Sequence, residues 1–331
     1  MDVFRVPDLQ KIARIKLGTF GGVEVVFTKD SKRAYVSQMQ TASVYEIDVE
    51  TKQVLRVLKT GGNWTKVLEL SPDEKTLYAA NWVSDDISVI DLATASLKAI
   101  IATVDTPRGL LVSNDGLSLF VAGFEDGVIV RIDVSSLKPS NEAAGAAAPS
   151  VTQVALTISN KRPSVRTAFP STELFRTGGA MRHLVLDRVK NVLYADDMGR
   201  DAAYVLDLTS NKVRQLATTD SHPNTIDLSP DGRYLYVSNR GQNSPAGYNQ
   251  FGPDYGSVIV FDTVTGKAVD GIVGGNQTTG LDVSPDGTLL AFTDFQDARV
   301  QLYAIPPATI LAASDGKRAV EYKKELLRKK R

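Results

Sequence analysis

An all-β chain of repeated four-stranded sheets is the fold class this sequence predicts, and three observations carry it. A unit of about 42 residues recurs along the 331-residue chain; each copy reads strand, tight turn, strand; and each then runs into a third strand ending in an acid. Repeats of this length, rich in short strands, build propellers whose blades are four antiparallel strands. We therefore expect a single β-propeller over 1–320, followed by a basic tail over 321–331.

The first two strands are clearest at Ile226–Asn239, Leu68–Asn81 and Leu281–Asp294, with weaker copies at Val25–Gln38, Leu110–Gly123 and His183–Asp196. Asp-Gly at 115–116, 231–232 and 286–287 supplies the left-handed backbone of a hairpin turn, and Pro at 72, 230 and 285 suits the same turn, where a missing N–H costs nothing. The third strand ends in Asp48, Asp91, Asp133, Asp207 and Asp262, and a more polar fourth follows, as in 53–57 and 97–101. Falling hydrophobicity from first to fourth strand fits a blade buried most deeply at its inner edge. The turn acids are spaced 43 from Asp30 to Asp73, 42 to Asp115, 72 to Asp187, 44 to Asp231 and 55 to Asp286. The period therefore carries two insertions, 139–176 and 240–256. Within the first, 151–158 alternates like a strand.

Tyr236-Val237-Ser238-Asn239, then Val258-Ile259-Val260-Phe261-Asp262-Thr263, then Thr265-Gly266, resembles the YVTN β-propeller repeat: a YVTN strand, a VxVID strand and a T-G turn. The resemblance covers roughly residues 3–305. It implies the fold strongly and the function weakly, because the family mixes surface proteins, binding modules and a few enzymes. It also implies an extracytoplasmic setting, periplasmic or at the cell surface.

Residues 3–8 and 12–18 align with a third and a fourth strand, so the chain opens halfway through a blade. Six first-and-second strand pairs follow, and 309–320, with its own Asp315-Gly316, reads as a seventh. That pairing closes a seven-bladed ring from both termini. The alternative is six blades, since the 29 residues from Asp286 to Asp315 leave no room for a fourth strand in the sixth.

Lys and Arg total 38, as do Asp and Glu, so the net charge is zero and the basic excess of a nucleic-acid binder is missing. No apolar run reaches the length of a membrane helix, and the first residues do not read as a signal peptide. The chain has no cysteine, so thiolate chemistry is excluded. No HExxH, GxSxG, P-loop or EF-hand spacing occurs, and neither metal nor cofactor is expected.

Propeller chemistry collects where the loops leading into the blades meet those leaving the second strands. Those loops carry Trp64, Arg108, Arg182, His183, His222, Asn224 and Asn276-Gln277 on the leading side, and Gln38, Asn81-Trp82, Asp196-Asp197, Asn239-Arg240 and Asp294 on the leaving side. Arg108, Arg182 and Arg240 suit a carboxylate or phosphate if they converge; if not, each pairs with a local acid. Trp64 and Trp82 suit stacking on a ligand or packing between blades. In the second insertion Tyr248, Phe251 and Tyr255 suit a recognition loop. The main expectation is a non-enzymatic binding or scaffold propeller that takes a protein or a small anionic ligand, whether alone or within a larger assembly. The alternative is an enzyme resembling propeller lactonases or cofactor-bearing dehydrogenase subunits, with His183 or His222 as base and an Arg at the oxyanion.

Overall fold

The computed structural model describes residues 1–6, 8–137 and 169–329. It is all-β apart from its C-terminal end and one short 3-10 turn, and its sheets are propeller-type blades. The chain divides into two compact units, 1–121 with 130–173, and 122–129 with 174–331.

The first unit opens with an antiparallel pair, β1 (Asp2–Phe4) and β2 (Lys11–Arg14). Blade one follows as β3 (Gly22–Phe27), β4 (Arg33–Gln38), β5 (Ser43–Asp48) and β6 (Val54–Lys59). Blade two is β7 (Thr65–Leu70), β8 (Thr76–Asn81), β9 (Asp86–Asp91) and β10 (Ser96–Ala102). Blade three is β11 (Pro107–Val112), β12 (Ser118–Gly123), β13 (Val128–Asp133) and β14 (Ser171–Arg176). The end of the first insertion is thus the fourth strand of blade three rather than a projection from it. The strand expected over 151–158 lies outside the described residues.

The second unit holds blade four, β15 (Met181–Asp187), β16 (Val192–Asp197), β17 (Ala202–Asp207) and β18 (Lys212–Thr218). Blade five is β19 (Pro223–Leu228), β20 (Tyr234–Asn239), β21 (Ser257–Asp262) and β22 (Ala268–Val273). Blade six has three strands, β23 (Thr278–Val283), β24 (Leu289–Asp294) and β25 (Arg299–Ala304).

Two side-chain devices make the repeat. In the first hairpin, the Ser71, Ser113, Ser229 and Ser284 hydroxyls each donate to an Asp two residues on and accept the N–H that starts the second strand. After the third strand, Asp48, Asp91, Asp207 and Asp262 accept the N–H groups of the next turn, as at Thr51 and Thr94, both 2.8 Å. These bonds, and at Asp91 above all the Lys98 ammonium, hold the carboxylates below their usual range.

The seventh strand pair expected over 309–320 does not form. That stretch lies in α1 (Ala308–Ala313) and the start of α2 (Lys317–Arg328). The reason is composition: ATILAA and KRAVEYKKELLR are rich in strong helix formers, and Ala319, Tyr322 and Leu326 recur at helical spacing. Asp315-Gly316 keeps its left-handed backbone, with φ of 46° and 75°, but turns one helix into the next. The basic tail is the second half of α2. Its buried face places Ala319 and Tyr322 in the core of blades four and five beside Leu216, Ile259 and Phe261. Buried Asp220 accepts from Tyr322 Oη at 2.6 Å and Ser257 Oγ at 2.7 Å, and pairs with Lys323.

Emptying that position leaves a cavity and a buried carboxylate short of one donor, so Tyr322→Ala destabilises the fold by about 3–5 kcal/mol and Tyr322→Phe by about 1–2 kcal/mol. Urea unfolding midpoints check both.

Candidate functional site

The first strands of blades one, two, four, five and six carry one residue more than their partners near the start. Register slips between Gly22 and Val25, Thr65 and Val67, Met181 and Leu184, Pro223 and Thr225, and Thr278 and Leu281. Such bulges re-aim side chains. The residues concerned are Val23-Glu24, Lys66, Arg182-His183, Asn224 and Thr279-Gly280. Just ahead of the first strand, Gly21, Trp64, Thr106, His222 and Gln277 take left-handed φ between 54° and 112°. Its recurrence marks it as part of the blade and not as strain peculiar to Trp64 or His222.

A second-strand side chain fixes the bulge in blades one, four, five and six. Ser37 accepts the N–H of Glu24 (3.1 Å), Ser238 that of Thr225 (3.1 Å), Thr293 that of Gly280 (2.9 Å), and in blade four Asp196 that of His183 (2.6 Å). The Ser37 and Ser238 hydroxyls donate hydrogen bonds to the bulged carbonyls of the next blade, Lys66 and Thr279. In blade four that carbonyl, Asn224, is taken by Arg182 Nε at 3.1 Å. Arg182 also donates to Met198 Sδ at 3.7 Å and sits 5.9 Å from the Phe124 ring. It is buried and braces blade four against blade five.

In the first unit the bulges gather charge and indole. Lys66 Nζ stands 2.9 Å from the centroid of Trp82 and 5.7 Å from that of Trp64, while the Arg108 guanidinium stands 5.2 Å from Trp82. The two indoles are tilted at 46°, with centroids 5.9 Å apart. Desolvated cations over indole gain from the ring quadrupole. The Trp82 indole N–H is buried and unpartnered among the described residues. Glu24 accepts the backbone N–H of Leu68 and feels the Arg108 charge, with Glu69 nearby. Glu24 is half-buried overall, yet its carboxyl end is enclosed, and burial pushes its pKa up to about 8. Glu69 accepts the Val112 N–H at 3.2 Å.

The second unit arranges its polar groups differently. His183 and His222 are half-buried, and Asp201 accepts the His222 backbone N–H at 2.7 Å. Asn224 is buried, with its amide nitrogen unpartnered among the described residues. Arg240 donates to Gln277 and to the Tyr248 carbonyl at 3.4 Å, so it clamps the second insertion and is not held out for an anion. Gln277 adds bonds to the Tyr248 and Gln250 carbonyls, and Asn276 bonds Gly252 on both sides of its amide. The loop is thereby ordered, with Tyr248 and Phe251 exposed and Tyr255 half-buried. The remaining second-strand ends, Gln38, Asn81, Asp197, Asn239 and Asp294, are fully buried. Gln38, Asn81, Asp197 and Asp294 bond the leading loops, as in Asp294 with Gly275 N–H at 2.8 Å and Thr278 Oγ1 at 2.7 Å. On the inner strands, Asp227 and Asp282 hydrogen-bond each other and are both raised, chiefly by burial, Asp227 to about 7.

Sequence reasoning missed Lys66, Glu24 and Glu69. The signal was present as charged residues breaking apolar first strands, GVEVVF and TKVLEL.

The blades and the cation–indole–carboxylate cluster define a propeller with a polar inner-strand site. A family model described as lactonase, seven-bladed β-propeller, matches residues 19–156 and 213–322, and the chain belongs to that family. It is 35% identical over 284 residues to antigen Lp49 of Leptospira interrogans, a match covering 86% of this chain and 57% of that protein. The chain thus spans just over half the length of that relative. Among solved structures, hydrazine synthase of Kuenenia stuttgartiensis matches at TM-score 0.70 and 18% identity, over 94% of this chain and 86% of that one. A putative 6-phosphogluconolactonase from Bacteroides uniformis matches at TM-score 0.62 and 19% identity, over 86% of this chain and 81% of that one. At those identities both show the fold alone. No described helix is long and apolar enough to cross a membrane.

Asp196 gives a pH prediction. Burial raises its pKa from 3.8 to about 7. The folded chain therefore holds a proton there that the unfolded chain has released, and stability falls as pH rises from about 4 through about 7. Asp196→Ser substitutes the hydroxyl that blades one and five use. The difference in urea midpoint between variant and wild type grows in the variant's favour from pH 5 to pH 8, by a few kcal/mol in unfolding free energy.

Proposed function

We propose that this chain hydrolyses a small anionic lactone or ester at the first-unit cluster. The observation that carries the reading is the convergence of Lys66 and Arg108 on the Trp82 indole, with Glu24 beside them. Family membership supports the reaction class. The cations hold the substrate's carboxylate or phosphate and stabilise the oxyanion that develops when water adds to the carbonyl. The indoles receive the apolar face of the ring. Glu24 in its ionised form takes the proton from the attacking water and then gives it to the departing ring oxygen, yielding a hydroxy acid.

With its pKa near 8, Glu24 is mostly protonated at neutral pH, so the rate rises with pH through about 8. Hydrolysis of 6-phosphogluconolactone and of uncharged gluconolactone, followed by pH-stat and corrected for the spontaneous rate, tests this. Glu24→Gln lowers kcat about 100-fold or more and abolishes the rise. Arg108→Met raises KM for the phosphorylated substrate much more than for the uncharged one. Absence of turnover on both, with saturable binding of the anion retained, overturns the hydrolase and leaves an anion-binding propeller.

A second reading is favoured by the clamped loop over 240–256. Its exposed Tyr248 and Phe251 on a rigid frame suit a protein partner, which makes the chain a recognition module. The YVTN-type identity of the repeat and an extracytoplasmic setting go with that reading, and cell fractionation tests the setting.

A further inference from the structure

In the second unit, α2 turns toward solvent a face that the fold does not use. Its inner side is fixed. Ala319 and Tyr322 are buried in the core of blades four and five, and Leu326 packs against the same cluster. Three of its cations are matched to acids: Arg318 pairs with Asp270 at 2.8 Å, Lys323 with Asp220, and Lys329 with Glu325 at 2.8 Å. Lys317, Lys324 and Arg328 are not. All three are exposed, and among the described residues none has an ion pair or a side-chain hydrogen bond. At positions i, i+7 and i+11 they form one line on the side of the helix opposite Tyr322. Val320 and Leu327 flank that line and are 55% and 58% exposed. Glu321 is the acid beside it.

Helix stability does not account for these cations. Arg328 in the last turn favours the helix dipole, but Lys317 in the first turn opposes it, and that turn holds no acid. Composition sets the segment apart as well. Residues 317–331 hold eight basic and two acidic residues, while the whole chain holds 38 of each, so the remainder carries an excess of six acids. An anionic surface repels that remainder and attracts α2, which fixes how the chain meets it. Val320 and Leu327 stand two turns apart with Lys324 between them. They give enough apolar area to sink among lipid headgroups and too little to hold the apolar stripe of a partner helix.

We propose that α2 docks the chain on the surface of an anionic lipid bilayer. Lys317, Lys324 and Arg328 contact lipid phosphates, and Val320 and Leu327 enter the headgroup layer. Because the inner face of α2 is locked into the core, the helix cannot roll, and its outer face meets the bilayer as it stands. So few cations and apolar groups give reversible adsorption that salt dissolves, not insertion. No residue of the lactone cluster lies on α2, so the two readings stand or fall separately.

The test is co-sedimentation of the full chain with phosphatidylcholine vesicles, with and without phosphatidylglycerol. Wild type pellets only when phosphatidylglycerol is present, and the bound fraction falls as salt is raised. Lys324→Glu combined with Arg328→Glu weakens the partition by about tenfold or more. Lys16→Glu combined with Lys75→Glu, exposed positions in the first unit that change the net charge equally, leaves it unchanged. Circular dichroism and thermal melting confirm that both variants fold, and Leu327→Ser, a milder change, weakens binding in the same direction. The chain has no cysteine, so an environment-sensitive dye on Leu327→Cys reports that position alone. Its emission moves to shorter wavelength on the anionic vesicles, whereas the same dye on Val83→Cys, an exposed loop position in blade two, does not shift. Equal pelleting with and without phosphatidylglycerol, a partition indifferent to the α2 charge reversals, or an unshifted dye at 327 each overturns the proposal. So does capture of soluble poly-glutamate without vesicle binding, which makes an acidic polypeptide the occupant.

Discussion

In five blades the first strand must fit one residue more than its neighbour opposes, and the way that surplus is absorbed organises both the scaffold and its chemistry. A bulge leaves an N–H without a ladder partner, and a buried N–H left alone costs about 1–3 kcal/mol. Ser37, Ser238, Thr293 and Asp196 each accept that N–H from the second strand. Two of the hydroxyls then reach the bulged carbonyl of the following blade, so one side chain ties the strand to its partner and to its neighbour. Because the same bulge turns Lys66 and Glu24 out of the ladder, the groups that can do chemistry are those the packing problem displaces.

Blade four shows what happens when the rule is changed at one position. An acid replaces the hydroxyl; it still accepts the His183 N–H but does not reach the bulged carbonyl of the next blade. Arg182 supplies the missing donor to the Asn224 carbonyl and is buried in doing so. The departure from the repeat thus consumes the arginine that the sequence nominated as an anion binder. Arg240 is used up in a similar way by the loop it clamps. Of the three arginines nominated together, Arg108 is the one that stands over an indole, 5.2 Å from the Trp82 ring.

How much was legible follows from the range over which each feature is determined. The Ser-x-Asp turns and the acids ending the third strands are local, closed within about five residues, and the spacing of Asp73, Asp115, Asp231 and Asp286 exposed them directly. Residues 309–320 read as a strand pair because Asp315-Gly316 signals a left-handed turn without saying what it joins, and here it joins two helices. The bulges were invisible for a different reason. A one-residue surplus shows only against the partner strand, so Lys66 and Glu24 looked like ordinary interruptions of apolar strands.

The two faces of β3 bring these threads together. Strand alternation puts Glu24 and Val26 on one side and Val23, Val25 and Phe27 on the other, so a single six-residue strand serves an enclosed polar cluster and a bare apolar strip. The enclosed side lifts the Glu24 carboxyl toward neutrality because neighbouring blades keep water from it. On the other side Val23, Val25 and Phe27 stay exposed. Blade burial is supplied by adjacent blades and not by the strand itself, so both the chemistry of Glu24 and the exposure of Phe27 are consequences of what stands next to them.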